Sequence, residues 1–359
     1  PQNSANNTAT HSGHLNCKPK ECTVFWISSA PANLMLLGEH SVVYGYPALA
    51  CAVDQRMEIH WSKTNEPTLC IKSELANFQF TLDELKNFES HPELDHPKLR
   101  FVMHALKAFA QHLHHGLQIQ VMSEFSSTIG LGSSAAVLAA TLHGLNQITE
   151  QNLSNLELFN LGHEIILTIQ GRGSGTDLAA SLSGGVILFE PALNNQKVCR
   201  PANIQALPKT ITENLALSLV YCGYKTPTAK VLQQVADQWQ ANPEQLNRLY
   251  ALMGETTQQA YQKLMDNQTE HFYALSEIYQ DLMDALGVND ETLQSIIDLM
   301  RQCSGIRASK ISGSGLGDCV LGFGYLNDCP ENMNNQLQTF TQLNVTVTSK
   351  GAHTQLYQS

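Results

Sequence analysis

Residues 117–146 read LQIQVMSEFSSTIGLGSSAAVLAATLHGLN. Leu117–Met122 alternates apolar and polar side chains, the period of a half-buried strand. Ser133–Asn146 is small and apolar, which predicts a buried helix. Between them lies Gly130-Leu131-Gly132-Ser133-Ser134-Ala135. Glycines let a backbone approach a ligand closely. The free amides at the start of the following helix, with its dipole, favour a phosphate. Ser133 and Ser134 add hydroxyls, and a Ser at a helix start can ligate the Mg²⁺ that accompanies a nucleotide. The loop has no Lys, so it is not a Walker A sequence. In isolation, a helix N-cap packed through small residues reads the same way. A dinucleotide-binding turn also fits Gly130-x-Gly132-x-x-Ala135. Against it, Ser123–Ile129 separates strand from loop, and Glu150, the acid at the required interval, falls in a polar turn.

Outward from this unit, Cys22–Ser28, Val53–Ser62 and Leu69–Phe80 predict strands. Leu99–His115 has helical spacing at Phe101, Val102, Ala105, Leu106, Phe109 and Leu113, and Leu156–Ile169 is a further helix. Gly185–Glu190 and Leu215–Tyr221 read as strands. Ala229–Met300 is helical almost throughout, broken near Asn242-Pro243 and Gly287. Ser309–Tyr325 and Val345–Lys350 return to strand. Helices and strands are mixed without regular βαβ alternation, so the expected class is α+β. The least structured join is Pro191–Thr210. It divides an N-terminal domain, residues 22–200, from a C-terminal domain, residues 201–359. Residues 1–21, rich in Asn, Ser, Thr and His, are expected to be disordered.

The chain of 359 residues is 43% hydrophobic, enough for an ordinary core, and only 15% charged. Its 21 Lys and Arg face 32 Asp and Glu, a net charge of −11. So acidic a chain lacks the electrostatic footprint of a nucleic-acid binder. An anionic ligand must therefore be gripped locally, by amides, helix N-termini or a metal ion. No apolar run approaches the ~20 residues of a membrane span, and no signal peptide is visible at the start. The nine cysteines contain no CxxC pair. Free thiols in a reducing cytoplasm are expected.

Three more segments interrupt the apolar pattern. Gly171-Arg172-Gly173-Ser174-Gly175-Thr176-Asp177 ends in a carboxylate on a flexible loop. A carboxylate held there can take a proton from a substrate hydroxyl, or simply cap a helix. Lys310-Ile311-Ser312-Gly313-Ser314-Gly315-Leu316-Gly317-Asp318 lies between two strand-like stretches. Pro31–Ala50, PANLMLLGEHSVVYGYPALA, places Glu39 and His40 between apolar runs.

Taken in order, these four segments resemble the GHMP small-molecule kinase family. GEHSVVYG looks like the first motif of its mevalonate kinase branch, and GLGSSAA is similar to its ATP-phosphate loop. GSGTDLAAS resembles the stretch carrying the catalytic Asp, and SKISGSGLGDC resembles the third, glycine-rich motif. The resemblance spans residues 22–352. It implies a two-domain α+β fold with the active site between domains, and Mg²⁺-dependent transfer of the γ-phosphoryl group of ATP to a small molecule. On matching positions, Asp177 would be the base and Ser134 a Mg²⁺ ligand. Gly130, Leu131, Gly132, Ser133, Ser134 and Ala135 would cradle the phosphates, and Gly313, Ser314 and Gly315 would close over them. Glu39, His40 and Ser174 would lie near the acceptor. YCGYKTPT, residues 221–228, resembles the segment that supplies a Thr to the site, either Thr226 or Thr228.

Two positions depart from the family. Asn33 replaces a Lys that normally sits beside the catalytic Asp; Arg172, Lys225 or Lys230 could supply the charge, Lys225 being the one we retain. Eleven residues before Asp177, where the family places a Mg²⁺-binding Glu, stands Ile166. Glu164, two residues earlier, is the candidate second Mg²⁺ ligand if the helix is irregular, since in a regular helix it lies on another face. The resemblance favours mevalonate as acceptor, with phosphomevalonate as the alternative on GSGTDLAAS and GDC. Galactokinases continue the first motif with an Asp-Tyr pair that Ser41-Val42 does not match. A protein that kept the fold and lost catalysis is the alternative of another class, resting on Asn33 and Ile166. His104, His112, His114 and His115 are read as solvated. The stripe Leu249, Leu252, Met253 and Leu282 is read as core, part of it a candidate homodimer surface.

Overall fold

Two antiparallel-rich sheets organise the computed structural model, which describes residues 24–126, 129–194, 197–213, 215–327 and 329–358. The expected disordered segment 1–21 lies outside the described residues. In chain order the strands are β1 (Val24–Leu37), β2 (Ala48–Thr64), β3 (Thr68–Lys72), β4 (Asn77–Thr81), β5 (Gly116–Ser123), β6 (Val186–Asn194) and β7 (Lys197–Ala206). They continue with β8 (Ala216–Tyr221), β9 (Ile306–Ser312), β10 (Cys319–Gly324), β11 (Thr341–Thr346) and β12 (His353–Gln358). The larger sheet runs β12-β1-β2-β5-β3-β4, with β6 on the early part of β2 and β7 beyond it. The smaller sheet runs β11-β8-β10-β9. Among the described residues only β3 and β5 pair in parallel. The class is α+β.

Against the larger sheet pack the helices Ser133–Ile148 and Thr176–Ser183, both meeting β1 and β2. The first is buried through Ala136, Leu138, Ala139, Ala140, Leu142 and Leu145. At the centre of that layer Trp61 is fully buried, and its indole N–H donates to Ser28 Oγ at 2.7 Å. Against the smaller sheet pack Thr269–Leu286 and Glu291–Arg301, while Pro243–Met265 packs on the former and also meets β2 and Ser41–Tyr44. Of the predicted stripe, Leu249 and Met253 are buried, whereas Leu252 is 50% exposed.

Several expectations are corrected. Leu69–Phe80 is not one strand but β3 and β4, joined by a turn in which Ser73 N–H donates to Ala76 O. The helix expected to His115 is regular only over Arg100–Phe109, followed by one tighter turn. The last predicted strand falls earlier, at β11. The stretch 191–210, expected to be irregular, is mostly the β6–β7 hairpin. Pro191 and Pro201 are paired there beside a register shift, the kind of position at which a sheet tolerates Pro. The chain also returns to the larger sheet through β12. Finally, Cys303 and Cys329 form a disulfide, contrary to the expectation of free thiols throughout. Cys51, Cys70, Cys222 and Cys319 are not in disulfides.

Candidate active site

A cleft of about 600 Å³ opens between the two sheets' loops, a size suited to a small-molecule ligand. Its floor begins with the loop before Ser133–Ile148. Gly132 caps that helix in the left-handed region, φ 62°, and a Cβ there would fall 2.2 Å from Asn33 Oδ1. Only glycine fits both the conformation and the space. Asn33 is buried on β1; its Nδ2 donates to Ser181 Oγ at 2.9 Å and to Gly132 O at 3.3 Å, and its backbone N–H to Leu131 O. Where a cation was missing from the sequence, a neutral amide therefore ties β1 to the loop. Gly130, Leu131, Gly132, Ser133, Ser134 and Ala135 all line the cleft, with Ser134 exposed in the helix's first turn.

Asp177 reaches the same cleft from a different helix. Ser154 and Glu157 form a capping box that starts Asn155–Gln170. That helix ends at Gly171, and the loop to residue 175 is held by His163 Nε2 donating to Gly173 O at 2.8 Å. Ser174 Oγ then accepts from Thr176 N–H, starting Thr176–Ser183. Asp177 does not cap this helix; it sits in the first turn and faces the cleft. Cleft water reaches it, but the surrounding walls dominate: burial pushes its carboxyl up to about 6. Lys225 pulls it down, while Glu39 and Asp318 push it further up.

Lys225 lies opposite, on the loop after β8. It pairs with Asp318 Oδ2 at 2.8 Å, and Asp318 Oδ1 accepts from Gly130 N–H at 3.1 Å. Burial opposes the Lys225 charge, yet Asp318 and then Asp177 outweigh it, so Lys225 titrates above its ordinary value. Of the other candidate cations, Arg172 lines the cleft and donates to Ala229 O, whereas Lys230 does not line it.

Beneath the cleft lies a pair that no local pattern announced. Lys310 on β9 and Glu39 after β1 meet at 2.5 Å, with side chains 0% and 2% exposed. Burial pushes Glu39 up and Lys310 down, each resisted by the partner's charge. Tyr279 OH donates to Glu39 O at 2.8 Å, and Glu39 Oε2 is a buried atom with no partner. His40 is buried and held below its ordinary pKa, hence neutral near pH 7. Its Nε2–H donates to Ser314 O at 2.8 Å, so the buried, partnerless Nδ1 is an acceptor.

Not every predicted residue arrives. Gly313 and Ser314 line the cleft; Gly315 does not, packing instead against Val288. Thr228 lines it at the start of Thr228–Gln238, while Thr226 Oγ1 donates to Leu316 O. Glu164 is exposed and outside the cleft wall, whereas Ile166 is part of it, so Glu164 is withdrawn as a metal ligand. Among the described residues no group of three His, Cys, Asp or Glu could hold a metal ion. An ion carried by a triphosphate needs only one or two protein oxygens. The exposed Ser134 hydroxyl and the cleft carboxylates suit that arrangement.

A mevalonate kinase of Thermococcus onnurineus is 31% identical to this chain over 82% of it and 87% of its own length. One from Pyrococcus furiosus is 29% identical over the same shares. The chain belongs to the GHMP kinase family. The family model for the GHMP kinase N-terminal domain matches residues 100–185, which hold both the phosphate loop and Asp177. A crystal structure of a mevalonate kinase shares the fold, with a TM-score of 0.75 at 21% identity over 90% of this chain and 99% of its own. As a GHMP kinase the protein is an ATP-dependent small-molecule kinase. No helix among the described residues is long and apolar enough to cross a membrane.

Proposed function

We propose that the protein transfers the γ-phosphoryl group of ATP to the hydroxyl of mevalonate, giving 5-phosphomevalonate. The observation that carries the reading is Asp177, raised to about 6 in a cleft it shares with the phosphate loop and Lys225. Such a carboxylate is ionised at neutral pH yet basic enough to accept the hydroxyl proton as the oxygen attacks phosphorus. Lys225 stands where it can favour the developing alkoxide in place of the family Lys. The amides of Gly130–Ala135 hold the phosphates in line with the acceptor. Bound Mg²⁺, held by Ser134 Oγ and the phosphates, would neutralise charge on the transferring group. Glu39, His40, Ser174 and Thr228 form the acceptor side, and the His40 Nδ1 acceptor suits a hydroxyl.

Curated relatives named mevalonate kinase support this acceptor. So does the cleft's charge: Lys225 faces Asp318 and Asp177, which leaves Arg172 alone among the described lining Lys and Arg residues to bind a second phosphate. Cytoplasmic location, a homodimer and a division near residue 200 belong to the same reading. ATP consumption, coupled to a dye-linked assay, tests it over mevalonate, phosphomevalonate, homoserine and galactose. Turnover with mevalonate at least tenfold above the others is expected. Preference for phosphomevalonate would reassign the acceptor, and no turnover with any would favour a non-catalytic binding protein.

A further inference from the structure

The phosphate loop already touches an anion supplied by the chain itself. Asp318 Oδ1 accepts the Gly130 amide at 3.1 Å, and Oδ2 takes Lys225 at 2.8 Å. One loop amide and one cation are the partners a phosphate oxygen would seek in this cleft. The approach is close enough that a Cβ on Gly130 would fall 2.3 Å from Asp318 Oδ1. Asp318 is 8% exposed, and its backbone is fixed at both ends: its N–H donates to Tyr224 O, and its carbonyl accepts from Cys222 N–H. The side chain alone is therefore free to leave.

We propose that Asp318 is a positioning residue that occupies the phosphate seat in the nucleotide-free protein, so that nucleotide binding displaces its carboxylate from Gly130 and frees Lys225 for the reacting groups. The Lys225 amine then exchanges one anion for another, which keeps a cation beside Asp177 in both states. The fixed negative charge of Asp318 remains next to the triphosphate and weakens its binding, because like charges held together are unfavourable. A residue that merely supported the fold would, on replacement, leave nucleotide affinity unchanged or lower it. This inference rests on the kinase reading.

The test is calorimetric titration of MgADP, which needs no acceptor, into the full chain. Asp318→Asn keeps the shape and the left-handed backbone, φ 74°, that Asn tolerates well. It should bind MgADP roughly tenfold more tightly than the wild type. Lys225→Met should bind more weakly, and adding Asp318→Asn to it should restore most of the loss. Should Asp318→Asn fail to fold, Asp318→Ser removes the same charge and should shift affinity the same way. Affinity equal to or below wild type in the neutral variants, with normal wild-type binding, overturns the proposal alone. A wild type that binds no MgADP overturns the kinase reading and this proposal with it.

Discussion

Lys310→Met removes the cation of a pair whose two side chains are 0% and 2% exposed. Glu39 is then a carboxylate without a counter-ion, and its Oε2 already lacks a partner. Breaking a buried pair from one side costs about 3–5 kcal/mol, because the remaining charge is neither solvated nor paired. At about 2 °C per kcal/mol for a large chain, the melting temperature should fall by roughly 6–10 °C at pH 8. The deficit should narrow on acidification. Burial already raises Glu39 above its ordinary value, and loss of Lys310 raises it further. A raised carboxyl favours the protonated folded state. Relative to wild type the variant therefore regains about 1.4 kcal/mol per pH unit between its own folded pKa and the lower, though also raised, folded pKa of the wild type. Adding Glu39→Leu should return most of the loss, since an apolar pair of similar volume stabilises as well as an ion pair. Thermal scans of the two single variants and the double, from pH 8 down to pH 5, complete the cycle. A Lys310→Met melting temperature within 1 °C of wild type at pH 8, or a deficit independent of pH, would refute the reasoning.

Three further outcomes follow from the cleft. Asp177, at about 6, must be ionised to act, so kcat/KM should fall about tenfold per pH unit below that value and level off above it; a flat profile from pH 7 to 5 would exclude it as the base. Lys225→Met should lower kcat by at least about tenfold, while Asn33→Lys should not raise it, because Asn33 is buried and bonded to Ser181 and Gly132; steady-state kinetics of both variants decide this. Ser134→Ala should raise the Mg²⁺ concentration needed for half-maximal rate with little change in melting temperature, the residue being exposed; an unchanged Mg²⁺ titration would remove it from the metal's surroundings.

The sequence made legible those parts whose causes are local. A strand, a glycine turn and a small-residue helix are written within residues 117–148, and the fold places them as read. The helix read over Leu156–Ile169 likewise forms, as Asn155–Gln170, and the glycines that follow release the chain toward Asp177. Long-range partners left no such trace. Lys310 and Glu39 are 271 residues apart, and Lys310 sits within an otherwise ordinary strand. Asp318 stood in a quoted glycine segment, yet nothing local joins it to Gly130, 188 residues away. The β6–β7 hairpin was hidden by Pro191 and Pro201, which normally argue against a strand; opposite one another at a register shift, they do not. Glu164 was a choice between helix faces, and the regular helix put Ile166, not Glu164, on the cleft.

Asp177→Asn is the most direct test of the account, read by turnover of MgATP with mevalonate beside MgADP affinity. The substitution keeps the side chain's shape and removes its basicity. The account predicts that kcat falls by about 10²–10⁴-fold while MgADP affinity stays within a fewfold of wild type. A kcat within a fewfold of wild type would contradict it, because the proton of the attacking hydroxyl would then leave by another route.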